Sequence, residues 1–182
     1  MSDTQPASVY DLAHENEVEN LATFAILVDN EPGVLHRLVG LFAARGYNIE
    51  SLTVAETDRR AHTSRVTIVT RGAPAVLAQI EAQLQKMVAT RHVQNVTRDP
   101  NGIERELALV KVKSTGADRV EALRVADIFR AKVIDTTHES FVFELTGASN
   151  KIDKFIDLMR PLGLVELSRT GVLSLTRGAE AM

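Results

Sequence analysis

The stretch Asn30-Glu31-Pro32-Gly33 is where this 182-residue chain places the residue types with the most specific chemistry. An amide, a proline and a glycine stand between an apolar alternating run and an apolar helical run. A helix that starts here presents N–H groups with no intrahelical acceptor, together with the positive end of its dipole, and both suit a carboxylate. Gly33 keeps side-chain bulk away, so a ligand can approach the backbone. Asn30 offers both an acceptor and a donor, which fits a zwitterion carrying ammonium and carboxylate. Val34, Leu35 and Ile49 would supply an apolar wall for an aliphatic side chain, and Asn48 a second polar group. The same residues also fit a purely structural role, with Asn30 as a helix cap, Pro32 in the first turn and Gly33 relieving crowding. The residues alone leave both roles open.

Other chemistries find little support. The chain has no cysteine, which excludes disulfides, thiolate metal sites and thiol catalysis. His14, His36, His62, His92 and His138 are scattered and form no helical pair, so no metal site is expected. There is no Gly-x-Ser-x-Gly elbow, no phosphate loop and no Gly-x-Gly-x-x-Gly. No catalytic residues are assigned. Formal net charge is −3, and residues 1–20 carry five acids and no Lys or Arg, so the remainder carries +2. Nothing in that balance suggests a nucleic-acid partner. No apolar run approaches the roughly 18 residues of a membrane span. The acidic start does not resemble a signal peptide, and a cytoplasmic location is expected.

The elements that must position the loop follow from periodicity. Phe24, Ile26 and Val28 alternate as a strand, and Leu35, Leu38, Val39 and Phe42 form one helical stripe that Gly46 ends. Asn48–Ala55 resumes as a strand, Glu56–Thr63 is a charged loop, and Val66 and Ile68 mark a third strand. Leu77, Ile80, Leu84 and Met87 form a second helix, and Val93–Thr97 a closing strand. After the turn cluster Arg98-Asp99-Pro100-Asn101-Gly102 the order repeats. Its strands are expected at 106–113, 133–138, 141–146 and 165–169. Its first helix turns Val120, Leu123 and Ile128 or Phe129 inward, and its second is capped by Ser149 or Asn150. The fold class is therefore α+β, with two tandem ferredoxin-like βαββαβ units. The expected organisation is a flexible acidic tail at 1–20, a first unit at 21–98, a linker at 99–104, a second unit at 105–178 and a tail at 179–182.

Asn30-Glu31-Pro32-Gly33-Val34-Leu35, Gly40-Leu41-Phe42 and the run Arg45-Gly46-Tyr47-Asn48-Ile49-Glu50-Ser51-Leu52-Thr53-Val54 resemble the opening of small, regulatory subunits of acetolactate synthase. The resemblance continues through Ser64-Arg65, Glu104-Arg105-Glu106, Ile128-Phe129-Arg130 and Ser168-Arg169-Thr170-Gly171-Val172 to Gly178. It implies that the first unit is an ACT domain that pairs side by side into a homodimer and binds valine or a related branched-chain amino acid at the interface. Asn30, Gly33, Val34 and Leu35 match the family's effector loop. Asn48 and Ile49 match a facing strand start contributed by the partner protomer, and Asp29 matches less closely, where relatives carry Glu. The resemblance also implies a large catalytic subunit as partner, carrying thiamine diphosphate, Mg and FAD, with no cofactor on this chain. Such a pair makes 2-acetolactate from pyruvate in valine, leucine and isoleucine biosynthesis, and the small subunit raises activity and confers feedback inhibition. An ACT protein that senses amino acids on its own and regulates another partner is the alternative.

Overall fold

The alternation around Phe24 becomes β1 (Asn20–Asp29), whose Phe24, Ile26 and Val28 are fully buried on one face. The chain continues through α1 (Val34–Ala43), β2 (Ser51–Asp58), β3 (Thr63–Gly72), α2 (Pro74–Gln85) and β4 (Thr90–Asn95). The sheet order is β2-β3-β1-β4 with every neighbouring pair antiparallel, which is a ferredoxin-like unit. This computed structural model describes residues 19–179 and Met182. The expected tail at 1–20 lies almost wholly outside the described residues, as does part of the one at 179–182.

Physical reasons for the helix ends are local. Gly46 has φ +68. Gly46 N donates to Ala43 O, Tyr47 N donates to Phe42 O, and the two rings meet edge-on at 6.1 Å. That is a Schellman stop with its hydrophobic contact. The buried stripe of α1 is Val34, Leu38 and Phe42. Leu35, expected inward, is 38% exposed, because the buried stripe runs at intervals of four through Val34, Leu38 and Phe42. In α2, Leu77, Ile80 and Leu84 are buried as expected, while Met87 lies just past the helix and packs at the core edge.

The second unit comprises β5 (Gly102–Lys113), α3 (Gly116–Phe129), β6 (Lys132–Thr136), β7 (Ser140–Gly147), α4 (Ser149–Met159) and β8 (Leu164–Arg169). Its sheet order is β6-β7-β5-β8, the same topology. Three readings change. Val120 and Leu123 are 58% and 41% exposed and Ile128 is 75% exposed, whereas Ala122, Val125 and Ala126 are buried. Phe129, the other residue expected inward, does pack on the core, where Phe155 meets it at a tilt and meets Phe143 edge-on, with centroids 5.4 and 6.1 Å apart. α3 therefore approaches through small residues. Ser149 is the first helical residue of α4 and makes no capping bond. And β5 starts inside the segment read as a linker.

A further strand, β9 (Leu173–Thr176), lies within the expected second unit but beyond its expected closing strand at 165–169. It pairs with Gly102–Arg105 of β5, and together they lie on the face of the first sheet that carries no helix. This explains why Thr23, Ala25, Thr67 and Val69 are buried although they point away from the first core. Val172 N donates to Ser51 Oγ at 3.0 Å, Thr53 Oγ1 to Thr170 O at 3.3 Å, and Arg65 Nη2 to Ser174 O at 2.8 Å. Gly171, at φ +81, allows the approach: a Cβ there would stand 2.6 Å from Ser51 Oγ.

Where β8 leads into this crossing, Arg169 donates from Nε and Nη2 to both oxygens of buried Glu106, each at 2.7 Å, and from Nη1 to Asp153 at 2.7 Å. Burial pushes the Glu106 carboxyl up, but Arg169, Ser149 and the Gly171 backbone outweigh it and hold it below the usual 4.5. A depressed folded value stabilises above the unfolded one and is lost as pH falls through the folded one. Glu106→Gln is expected to cost about 2–3 kcal/mol near neutrality, since it unbalances a buried pair. In urea unfolding the gap between wild type and variant should narrow below the carboxylate range. A gap that stays constant from about pH 7 to about pH 3 would contradict this account.

Candidate functional site

The loop between β1 and α1 is held from below by a small network. Arg91 Nε donates to Asp29 Oδ1 at 2.6 Å and its Nη2 to Ala61 O at 3.3 Å. Asn30 N donates to His62 O at 2.7 Å, and Asn30 Nδ2 to Glu56 Oε1 at 3.3 Å. The turn that receives these bonds is itself fixed, since Asp58 Oδ1 accepts from Arg60 N and Ala61 N. Those two N–H groups hold the Asp58 carboxyl below its ordinary value.

Gly33 sits at φ +84 as the first residue before α1, with open space where a Cβ would stand. No side chain caps the helix, and no acid lies in its first turn. Asn30 is therefore not the cap: its amide turns to Glu56 instead. Val34 N donates to Glu31 O at 3.2 Å, and Arg37 N closes the first helical bond to Gly33 O. Among the described residues nothing accepts from Leu35 N or His36 N. Two backbone donors thus stand free at the positive end of the dipole, beside the acceptor oxygen of Asn30 and the carboxylate of Glu56. This is a set for a carboxylate and an ammonium together.

The apolar part is arranged differently from the sequence expectation. The Val34 side chain is 7% exposed and belongs to the core. Leu35 faces outward, and so does Val54 on β2, 43% exposed and on the same sheet face as Glu56. Glu56 was read as part of a charged loop; the continued alternation Leu52, Val54, Glu56 was the signal that it extends β2.

Asn48 and Ile49 lie elsewhere. Asp29 pairs with Thr63 at one end of β3, while Ser51 pairs with Val69 six residues along it. At roughly 3.3 Å per residue, Asn48 is about 20 Å or more from Asn30 in the same protomer. Asn48 O accepts from Thr70 Oγ1 at 2.6 Å, and its Nδ2 donates to Glu50 at 3.1 Å. Ile49 packs at the edge of the core. Four hollows of about 250 to 750 Å³ among the described residues are lined by other residues, without Asn30, Gly33 or Leu35. The equivalent loop of the second unit has Gly116 at φ +58, but Asp118 occupies the first turn of α3, where a carboxylate ligand would be repelled. No cluster of metal-ligating side chains occurs among the described residues. No helix among them is long and apolar enough to cross a membrane.

A family model for the AHAS small subunit-like ACT domain matches residues 24–92, and one for the small subunit of acetolactate synthase matches residues 105–178. The chain belongs to the acetolactate synthase small-subunit family. It is 46% identical over 156 residues to the probable acetolactate synthase small subunit of Archaeoglobus fulgidus, covering 86% of this chain and 96% of that one. It is 44% identical over 159 residues to the isozyme 3 small subunit of Salmonella typhimurium, covering 87% and 96%. The crystal structure of the small subunit from Thermotoga maritima superposes with a TM-score of 0.78 at 36% identity, covering 88% of this chain and 99% of that one.

The network below the loop has a measurable role. Arg91→Ala is expected to change global stability by no more than about 1 kcal/mol, because the ion pair is at the surface. It should nevertheless speed hydrogen exchange of the Asn30 amide by local opening. Unchanged exchange there would show that Arg91 does not hold the loop.

Proposed function

We propose that the chain is the regulatory subunit of acetolactate synthase, activating the large catalytic subunit and making it sensitive to valine. Family membership supports the partner. The observation that carries the effector reading is the uncapped, acid-free start of α1, with free donors beside Asn30 on a braced loop. The branched aliphatic part of the ligand would meet outward-facing Leu35 and Val54.

In this reading the site is completed by a second copy. β2 is an edge of the first sheet and most of its residues are exposed. When two β2 strands pair antiparallel about a two-fold axis, the start of each lies beside the end of the other. Asn48 and Ile49 of one protomer then approach Asn30, Gly33 and Glu56 of its partner. Valine bound there bridges the protomers and couples to the catalytic subunit with a free energy of about 1–3 kcal/mol. By reciprocity, the activated complex binds valine more weakly than the free dimer does. Thiamine diphosphate, Mg and FAD belong in this reading to the catalytic subunit, and the whole assembly to the cytoplasm.

Acetolactate formation by the cognate catalytic subunit, with and without this chain across a valine titration, tests the reading. Wild type should activate, and valine should reverse the activation. Gly33→Asp costs about 1 kcal/mol of backbone strain, which Asp tolerates better than most residues. It also puts a negative charge where the ligand carboxylate lies. That variant should activate normally and weaken the valine response by at least about tenfold, roughly 1.4 kcal/mol. Full valine inhibition of Gly33→Asp would remove the loop assignment.

A further inference from the structure

β9 is built inside out. It reads Leu173-Ser174-Leu175-Thr176, and a half-buried strand ordinarily turns its leucines inward. Here Ser174 is 4% exposed, while Leu173 and Leu175 are 51% and 62% exposed. Of the two inward side chains, Thr176 finds polar partners, while the buried Ser174 Oγ has none among the described residues. The Ser174 carbonyl accepts from Arg65, and Thr176 Oγ1 accepts from Gln94 Nε2 at 2.9 Å and donates to Asp99 at 3.1 Å. The ladder with β5 sets Ile103 opposite Leu175 and Arg105 opposite Leu173, so these four side chains share the outer face of one ribbon. Beside them lies a hollow of about 350 Å³ whose lining includes Val96, Asp99, Ile103, Glu104, Arg105 and Arg177. Asp99 accepts from Gln94 and Thr176, and Glu104 lies opposite Ser174 on the inner face, which leaves Arg105 and Arg177 as the charges of the outer face. Among the described residues no ion pair involves Arg105 or Arg177.

We infer that this ribbon face is the surface through which the chain docks on the catalytic subunit. An aliphatic or aromatic side chain of that subunit packs on Leu173 and Leu175 and fills the hollow, and carboxylates beside it meet Arg105 and Arg177. Contiguous exposed apolar side chains rimmed by charge are the mark of a protein interface. Charge complementarity selects the occupant. A two-fold contact between copies sets the same patch against itself and would bring arginines against arginines, whereas an acidic-rimmed apolar patch on another protein satisfies both. The placement also agrees with the dimer above. Two first sheets joined edge to edge through β2 keep their helices on one face and both ribbons on the other, so the dimer presents two docking ridges on one side. The inference rests on the regulatory-subunit reading.

Its test uses full-length chain in two variants, Leu173→Ser with Leu175→Ser, and Arg105→Glu with Arg177→Glu. Each is titrated against the cognate catalytic subunit while acetolactate formation is followed. Valine binding and molar mass of the isolated variants are measured by calorimetry and light scattering. Both variants should need at least tenfold more protein for half-maximal activation, with valine affinity and dimer mass unchanged. Variants that titrate like wild type would overturn the docking surface and leave the regulatory reading standing. Variants whose isolated mass falls would show that the ribbon joins copies of this chain, which also overturns it. Failure of wild type to alter the synthase would overturn the regulatory reading and the docking surface together.

Discussion

A single helix joins β1 to β2, and that constraint governs everything else in the first unit. A strand–helix–strand crossover returns the chain to its starting end, so β1 and β2 run parallel with β3 between them. The loop after β1 and the start of β2 must then lie at opposite ends of the sheet. The two polar segments Asn30–Gly33 and Asn48–Ile49 cannot meet within one protomer, however the side chains are arranged. A site that uses both needs a second copy with its edge reversed. The open edge β2 is the strand that carries one of the segments and ends beside the other, through Glu56 and Asn30.

The second unit is fixed to the first by polar bonds and close backbone approach, not by a shared apolar core. The two cores are separate clusters. Between them, Ser51 and Thr53 on β2 hold the backbone of Thr170 and Val172, with Gly171 pressed against both hydroxyls. These two side chains sit only three and five residues after Asn48. The start of β2 is therefore in direct hydrogen-bond contact with the segment that leads from the Glu106–Arg169 pair into β9. Such an interface fits a regulatory protein, since polar domain contacts permit relative adjustment more readily than a fused core does.

Much of this was legible in the residues. The alternation of Phe24, Ile26 and Val28 and the stripe Leu77, Ile80 and Leu84 marked buried faces, because large apolar side chains carry the burial signal. α3 was misread for the opposite reason: packing against a cluster of phenylalanines selects Ala122 and Ala126, which periodicity of large residues cannot see. β9 was missed because its leucines face out. In α1 the expected Leu38 and Phe42 are buried, but Val34 takes the core place given to Leu35. Of the candidate site, the residue types and the loop were readable. The roughly 20 Å separation of its halves, the braces from Arg91 and Glu56, and the absence of a cap required the fold.

Mixed dimers test the shared site most directly. Gly33→Asp damages the loop half of a site and Asn48→Ala the strand half, so each homodimer should fail to bind valine. In a mixed dimer both defects fall in the same site and the other site is intact. Calorimetry on purified mixed dimers should then find valine bound at one site per dimer, with wild-type affinity. Mixed dimers that bind no valine would place both halves of the site in a single protomer and contradict the account.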